Sequence, residues 1–240
     1  NTDIVIVSIF VNPAQFGPDE DYLSYPRQMQ QDRLKAEKAG VDVIFTPEPG
    51  QMYPESYLTY VNVKKITRVL CGKARPGHFT GVATICAKLF NIIKPDTAFF
   101  GQKDAQQAMV IKRMVKDLNM DIEIEILPIV REKDGLAMSS RNKYLNAVQR
   151  KDALVLYRAL AKAKDMIKNG ERNAGTIINR IRQIIERVDS KIDYISIVDT
   201  GQLNSLQVIS GEVLIALAVW IGKARLIDNI IIDTSEKSRE

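Results

Sequence analysis

The stretch "IVIVSIFV", residues 4–11, is the strongest indication of architecture in this chain. A near-continuous run of Ile, Val and Phe is typical of a strand that is buried on both faces of a parallel sheet, so we expect it to be central. A helical pattern over residues 27–39, ended by Gly40, and a second apolar strand over residues 41–45 follow it. This order predicts a strand–helix–strand unit.

Strands and helices continue to alternate along the first half of the chain. We expect a strand over residues 57–63, a helix over 81–93, a strand over 97–100 and a helix over 105–118. The strictly alternating "DIEIEIL", residues 121–127, should be a half-exposed strand near a sheet edge. The pattern predicts an α/β fold with a Rossmann-like, doubly wound parallel sheet.

The pattern changes after Tyr144. Two long amphipathic helices, over residues 147–168 and 174–188, precede strands near 194–198, 213–220 and 224–232. Helices followed by strands favour α+β packing. We therefore predict a Rossmann-like domain over residues 1–130 and a smaller C-terminal α+β domain over residues 131–240. A ligand cleft is expected at their junction.

Composition narrows the class of protein. The 240 residues are 45% hydrophobic and 26% charged, which predicts a soluble globular protein. Two cysteines without a CxxC motif and a single histidine argue against a zinc site or a disulfide framework and favour a cytoplasmic protein. The longest apolar run, residues 213–221, is about half of the roughly 18 residues that a membrane span needs, so we expect no membrane span and no signal peptide.

A net charge of +5 suits an anionic partner, either a small phosphate compound or nucleic acid. Three loops should lie at the carboxyl ends of strands, where open α/β sheets bind ligands. The candidate binding side chains in these loops are Asn12 and Gln15 in the first, Lys103, Asp104 and Gln107 in the second, and Ser139, Ser140 and Arg141 in the third.

Each of these groups also has a structural interpretation. Lys103 at a helix start would attract phosphate together with the helix dipole, but Asp104 beside it is an ordinary N-cap residue. The triplet "SSR", residues 139–141, could cap a helix instead of binding an anion. Neither GxxxxGK[ST] nor GxGxxG occurs, which excludes a conventional nucleotide cradle.

Other polar groups point to no catalyst. His78 is the only imidazole, and a lone histidine is more often a hydrogen-bonded structural residue. The sequence near His78 contains no recognisable pair of a nucleophile and a base, so it does not support a serine or cysteine hydrolase. We expect Arg75 to be a solvated loop residue and Cys86 to lie in the core.

Four segments together resemble the pantoate–beta-alanine ligase family, over essentially the whole chain and in the same order. They are "VSIFVNPAQFGPDEDYLSYPR", "RPGHFTGVATICAKLFNIIKPDTAFFGQKDAQQ", "REKDGLAMSSRNKYL" and "IGKARLIDNI". That family is similar in fold to nucleotidyltransferases and to the core of class I aminoacyl-tRNA synthetases. The resemblance implies a cytoplasmic homodimer that uses ATP and Mg²⁺ to form pantoyl adenylate, which beta-alanine converts to pantothenate and AMP.

The resemblance also assigns site residues. It implies that Gln15 and Gln107 bind pantoate, with Asn12 and Tyr25 lining the same cavity. It implies two ATP segments, with Val130 meeting the adenine through its backbone. The segments consist of Gly101, Gln102, Lys103 and Asp104, and of Met138, Ser139, Ser140 and Arg141, the latter in the place of the synthetase KMSKS loop. Lys103, Ser139, Ser140 and Arg141 would act in catalysis, and no protein ligand is assigned to the metal.

One part of the family pattern is not found. The HxGH-type motif, whose histidines contact the nucleotide phosphates, would lie upstream of the strand where this sequence starts, and the sequence starts without Met. We interpret the chain as lacking a first strand and helix, either deleted or simply not included. Alternatives to the ligase are another adenylate-forming enzyme on the same scaffold, a basic nucleic-acid-binding protein, and a non-catalytic dimeric scaffold.

Overall fold

The structure is a computed structural model that describes residues 2–18 and 20–235. The helices in this part are α1 (Met29–Lys38), α2 (Pro49–Met52), α3 (Cys71–Ala74), α4 (His78–Ile93), α5 (Ala105–Asp117), α6 (Ala147–Asp152), α7 (Leu154–Lys168) and α8 (Ala174–Ile185). The strands are β1 (Ile6–Ser8), β2 (Val43–Phe45), β3 (Thr97–Gly101), β4 (Glu123–Leu127), β5 (Lys191–Asp199), β6 (Glu212–Ile221) and β7 (Ala224–Asp233).

Contacts group the chain into two compact units. The first unit comprises residues 1–63 and 75–95, and the second comprises residues 64–74 and 96–240. These contact units have bounds different from those of the predicted domains, and the domain division at residue 130 stays a prediction.

In the first unit, β1 and β2 are parallel and are connected through α1, as the strand–helix–strand prediction requires. Ile6 lies beside Val43 and Ser8 beside Phe45. Gly40 follows the helix with a φ of 80°, a conformation that glycine adopts without strain and that ends α1 before β2.

The prediction that the first strand is buried on both faces is wrong. Only Ile6–Ser8 forms a regular strand, and the exposed fractions of Ile4, Val5 and Ile6 are 64%, 40% and 38%. The reason is the size of the sheet: within residues 2–18 and 20–235, β1 pairs with β2 and with no second strand.

Helix α4 forms the apolar centre of the first unit. Its residues from Gly81 to Ala87 are all buried, and Val82 and Ala83 are at most 1% exposed. The helix begins at His78, a little before the predicted start at residue 81. The strand expected over residues 57–63 is wrong, because the N–H of Val61 donates to the Thr84 hydroxyl (2.9 Å) on α4 and this segment forms no β-ladder in the described structure.

The second unit contains another parallel pair. β3 and β4 are aligned from Thr97 beside Glu123 to Gly101 beside Leu127, and α5 connects them. Ile124 is buried between the exposed Glu123 and Glu125, which confirms the half-exposed strand predicted from the alternation. The parallel pairs and their crossover helices confirm the predicted α/β architecture.

The predicted C-terminal α+β arrangement is also confirmed. Helices α7 and α8 pack on an antiparallel sheet of β5, β6 and β7 in that order. The core between them consists of side chains such as Ile177, Ile181 and Leu217, all 0% exposed; each stabilises the fold by about 1.5–3 kcal/mol. The long helix expected over residues 147–168 is divided at Ala153 into α6 and α7.

Candidate active site

Asn12 organises the first predicted pantoate segment, which follows β1. It is 2% exposed, and its Oδ1 accepts a hydrogen bond from the Ala14 N–H (3.2 Å), capping a 3₁₀ turn over Pro13–Gln15. Its Nδ2 donates to the Gly81 carbonyl (3.1 Å) and to Gln15 Oε1 (3.4 Å). Asn12 therefore holds the turn on α4 and orients the Gln15 amide.

Gly81 allows this turn to lie directly on α4. A Cβ at position 81 would be 2.1 Å from the Ala14 carbonyl oxygen and 2.6 Å from the Gln15 nitrogen. Backbone atoms cannot yield as a flexible side chain can, so any larger residue would displace the turn that carries Gln15.

His78 and Arg75 hold the backbone of Gln15. His78 Nδ1 lies 2.7 Å from the Gln15 carbonyl oxygen, so this nitrogen carries the proton and donates. Nε2 lies 3.1 Å from Arg75 Nη1, which can only donate, so Nε2 is placed to accept a hydrogen bond from it. His78 is thus hydrogen-bonded, as the structural interpretation requires, and it donates to the carbonyl of Gln15, a predicted substrate residue.

Arg75 is not the solvated loop residue that we expected. Its Nε donates to Glu20 Oε1 (2.6 Å), its Nη2 contacts Glu20 Oε2, and its side chain is 16% exposed. Partial burial raises the pKa of Glu20, but the hydrogen bond and positive charge of Arg75 more than compensate, so this pKa lies below its ordinary value of 4.5. Glu20 is therefore ionised at neutral pH.

The Glu20–Arg75 pair predicts a dependence of stability on pH. A lowered carboxyl pKa contributes stability above about pH 4.5, and this contribution is lost as the pH falls through the lowered pKa. We expect Glu20→Gln to lower the melting temperature at pH 7, and the difference from the parent to shrink below about pH 4. Thermal unfolding between about pH 2.5 and 7 measures this, with the exposed Glu55→Gln as the control. A difference that is the same at every pH would contradict the assignment.

Tyr25 lies on the loop beyond the 3₁₀ turn. Its ring meets Phe16 edge to face, with centroids 5.6 Å apart, and Phe16 also contacts Tyr22 at 5.2 Å. These rings form an aromatic group next to Gln15, and all of the predicted pantoate residues except Gln107 belong to this first unit.

The first predicted ATP segment lies in the second unit, between β3 and α5. Residues Gln102–Asp104 form a 3₁₀ turn that leads directly into α5. Asp104 occupies the N-cap position, but its side chain makes no capping hydrogen bond and instead pairs with Lys103 Nζ (3.1 Å). The N-terminal amides and the dipole of α5 favour an anion at this turn, while Asp104 partly balances the Lys103 charge.

Two adjacent glutamines on α5 have different surroundings. Gln106 is 6% exposed; its Oε1 accepts from the Cys71 N–H (2.9 Å), and its Nε2 donates to the carbonyls of Ile66 and Val69 (both 2.8 Å). Gln107, the predicted pantoate residue, is partly exposed. Gln106 is thus a structural residue that sequence reasoning did not identify.

The second predicted ATP segment begins with a hairpin over residues 130–138. The Met138 N–H donates to the Val130 carbonyl (3.0 Å), and Arg131 and Ala137 form a bridge. Val130 and Met138 are 67% and 54% exposed. The hairpin thus presents two neighbouring apolar side chains at its open end, where the resemblance predicts adenine.

Ser139 has the capping role that was one interpretation of the "SSR" triplet. Its Oγ accepts from the Arg141 N–H (3.3 Å) at the start of a 3₁₀ turn over Ser140–Tyr144. Asn142 in this turn donates to Glu132 Oε1 (3.0 Å) and to the Ala137 carbonyl (3.1 Å), which ties the turn to the hairpin. Ser140 and Arg141 are partly exposed.

Strand β7 contacts both predicted ATP segments, through the 3₁₀ turns at Gln102–Asp104 and at Ser140–Tyr144.

Among the described residues, no group of three or more His, Cys, Asp or Glu side chains is arranged to hold a metal ion. Within residues 2–18 and 20–235, no helix has the length and apolarity to cross a membrane.

A sequence model described as Pantoate-beta-alanine ligase matches residues 1–231. The chain belongs to the pantoate–beta-alanine ligase family. It is an ATP-dependent ligase of the kind that joins pantoate to beta-alanine.

Individual members of the family are similar in sequence. Pantothenate synthetase from Caldicellulosiruptor bescii is 58% identical over 232 residues, covering 96% of this chain and 82% of the relative. Pantothenate synthetase from Moorella thermoacetica is 55% identical over 235 residues, covering 98% of this chain and 83% of the relative.

Solved structures of family members share the fold. The crystal structure of pantothenate synthetase from Thermus thermophilus matches with a TM-score of 0.92 and 43% identity, over 95% of this chain and 83% of that one. A pantoate–beta-alanine ligase from Francisella tularensis, complexed with beta-gamma ATP and beta-alanine, matches with a TM-score of 0.76 and 37% identity, over 98% and 81% of the two chains.

Proposed function

We propose that the ligase reaction uses Lys103, Ser139, Ser140 and Arg141 as the groups that bind the ATP phosphates. The observation that carries this assignment is the contact of both predicted ATP segments with one strand, β7. Two segments that contact the same strand can act on one triphosphate. Segments on different structural elements would need additional contacts to align them.

In the first step, a carboxylate oxygen of pantoate attacks the α-phosphorus of ATP and the bond to the β-phosphate oxygen breaks. Pantoate needs no general base, because its carboxylate is ionised at pH 7. The protein has to hold the carboxylate in line and neutralise charge on the departing pyrophosphate, for which Lys103 and Arg141 are suited. In the second step, the beta-alanine amine attacks the acyl carbon, AMP departs and the amine loses its proton.

Mg²⁺ fits this scheme as a part of the substrate. Magnesium in such sites is usually held by phosphate oxygens with only one or two protein carboxylates, and it does not need a cage of protein ligands. We propose that it enters bound to ATP and neutralises charge on the β- and γ-phosphates.

Gln15 and Gln107 are proposed to bind pantoate, and so are Asn12 and Tyr25. Neutral amides can bind the hydroxyls and carboxylate of pantoate without adding a charge that would hold the anion too tightly. The Arg75 charge beside the Gln15 segment is balanced by Glu20.

Gln15→Ala and Gln107→Ala are expected to raise the KM for pantoate about tenfold or more, since losing a hydrogen bond to a charged group costs about 1.5–3 kcal/mol. The KM for ATP should change little, because these amides do not face the triphosphate in the proposal. Initial-rate kinetics with each substrate varied in turn measures this, with Gln30→Ala on the exposed side of α1 as the control. Equal effects on both KM values would contradict the assignment.

The two-step reaction has a direct test. Exchange of label between pyrophosphate and ATP should require pantoate and proceed without beta-alanine. Exchange that needs beta-alanine, or that occurs without pantoate, would oppose the proposal.

We also propose a cytoplasmic homodimer. Both cysteines are free thiols, as a reducing compartment permits. Sedimentation equilibrium of the 240-residue chain should give twice its mass of 27.0 kDa. A monomer at all accessible concentrations would contradict this part of the proposal.

A further inference from the structure

Strand β7 carries two adjacent buried polar residues, Asp228 and Asn229, within a largely apolar sequence. Each is 3% exposed. A buried carboxylate and a buried amide cost free energy unless they are hydrogen-bonded, so their partners indicate what they contribute.

Asp228 binds the hairpin that leads into the second ATP segment. Its Oδ2 and Oδ1 accept from Arg131 Nη1 (2.8 Å) and Nη2 (2.9 Å), a two-point ion pair, and Oδ1 also accepts from the Asn229 N–H (2.8 Å). Arg131 Nη1 donates in addition to the Gly135 carbonyl (2.9 Å). The carboxylate therefore fixes both the start and the turn of the hairpin, whose end continues into Met138.

The hairpin turn is also closely packed. Gly135 has a φ of 99°, and a Cβ there would be 2.5 Å from the Tyr157 ring. The Arg131 guanidinium lies over the same ring at 5.1 Å from its centroid. Arg131 is thus held between Asp228 and Tyr157, which makes it a rigid connection between β7 and the hairpin.

Asn229 binds the first ATP segment. Its Nδ2 donates to the carbonyls of Gln102 (2.9 Å) and Lys103 (3.0 Å), and its Oδ1 accepts from Gln102 Nε2 (3.2 Å). These carbonyls belong to the 3₁₀ turn that places Lys103 before α5. One amide side chain therefore fixes the backbone from which the Lys103 side chain extends.

Neighbouring residues of a strand point to opposite faces, so Asp228 and Asn229 bind their segments on opposite sides of β7. The strand itself is firmly supported, because it pairs with β6 along its whole length from Ala224 to Asp233, with Asp228 beside Leu217 and Asn229 beside Ala216. A rigid strand with one contact on each face sets the separation of the two segments.

We propose that Asp228 and Asn229 are positioning residues that hold Lys103 and the Ser139–Arg141 segment at the separation needed to bind one triphosphate. This inference rests on the proposed function, because it assumes that both segments bind ATP. It differs from a purely structural role, in which the two residues would stabilise the fold without acting through Lys103 or Arg141.

A double-mutant cycle distinguishes the two roles. Asn229→Asp keeps the size of the side chain but turns an oxygen toward the carbonyls of Gln102 and Lys103. We expect kcat to fall about 10²-fold, since a displacement of about 1 Å can cost that much. The key result is that combining it with Lys103→Ala should give little loss beyond Lys103→Ala alone, because both changes remove the same contribution. Likewise, combining Asp228→Asn with Arg141→Lys should give little loss of kcat beyond that of Arg141→Lys alone.

The control is Asp233→Asn, which makes the same substitution as Asp228→Asn at the exposed end of β7. This variant should retain parental activity. If Asn229→Asp does not fold, Asn229→Ala removes the amide without adding a charge and enters the same cycle. Normal activity of the position 229 variants, or additive losses with Lys103→Ala, would overturn the inference alone. Near-normal activity of Lys103→Ala by itself would overturn the proposed function, and the inference with it.

Discussion

Replacing Lys103 by alanine is expected to lower the rate of adenylate formation about 10²- to 10³-fold, or by about 2.7–4 kcal/mol of transition-state stabilisation. The ammonium group lies at the start of α5, where the helix dipole and the first-turn amides add to its attraction for phosphate. Charge on the pyrophosphate grows as the bond to the α-phosphate breaks, so the loss should be greater in kcat than in the KM for ATP.

The measurement is the single-turnover rate of AMP and pyrophosphate formation, in a sample whose intact mass accounts for the whole translated chain. Lys112→Ala is the matched control, because it removes the same charge from an exposed position on the same helix. The fold should be intact in both variants by circular dichroism. If Lys103→Ala formed adenylate at a rate near that of Lys112→Ala, Lys103 could not be the phosphate-binding cation.

Arg141→Lys is expected to weaken adenylate formation substantially, by about tenfold or more, although the charge is kept. A planar guanidinium can hold two phosphate oxygens at once, and an ammonium group cannot reproduce this geometry. Ser140→Ala should have a smaller effect, since it removes one hydrogen bond from an uncharged donor, whereas the Arg141 guanidinium can hold two phosphate oxygens. Pyrophosphate exchange measures both variants against the parent, and Arg158→Lys on the exposed face of α7 is the control.

Hydrogen exchange over residues 135–145 provides the second part of this test. The 3₁₀ turn at Ser140–Tyr144 is already capped by Ser139, so a merely structural turn would show the same protection with and without ATP. If the segment closes on the triphosphate, ATP should increase the protection. Unchanged protection together with full activity of Arg141→Lys would mean that the segment only caps its turn.

Elements with a strong periodic pattern could be predicted from the sequence. The order of β1, α1 and β2, the half-exposed β4 and the helices and strands of the C-terminal half all follow from hydrophobic periodicity and from Gly or Pro at their ends. These signals are local, and a short window of sequence contains them completely.

Two predictions about strands were wrong, because the segments that a stretch of chain contacts decide whether it forms a strand and whether that strand is buried. Alternation over residues 57–63 resembles a strand, but Val61 donates to Thr84 on α4 and not to a neighbouring strand. The run over residues 4–11 is apolar enough for a buried strand, yet burial depends on which strands pair with it, and the described structure supplies β2 only.

The supporting residues of the candidate site could not be predicted, because their partners are far away in the sequence. Asp228 pairs with Arg131 across 97 positions, and Asn229 binds Lys103 across 126 positions. His78 is a single histidine in sequence, and only the fold shows that it donates to the Gln15 carbonyl. An adjacent Asp and Asn in an otherwise apolar strand was the one available signal, since such residues need buried partners.

The central claim is that pantoate is activated as an adenylate on this protein, and the fate of its carboxylate oxygens tests it most directly. With both oxygens of the pantoate carboxylate replaced by ¹⁸O, attack on the α-phosphorus should transfer one ¹⁸O to AMP and leave the other in pantothenate. Mass spectrometry of the products reads both positions. Label in AMP in a one-to-one ratio with pantothenate is the predicted result; unlabelled AMP, or label in inorganic phosphate formed together with ADP, would contradict the account.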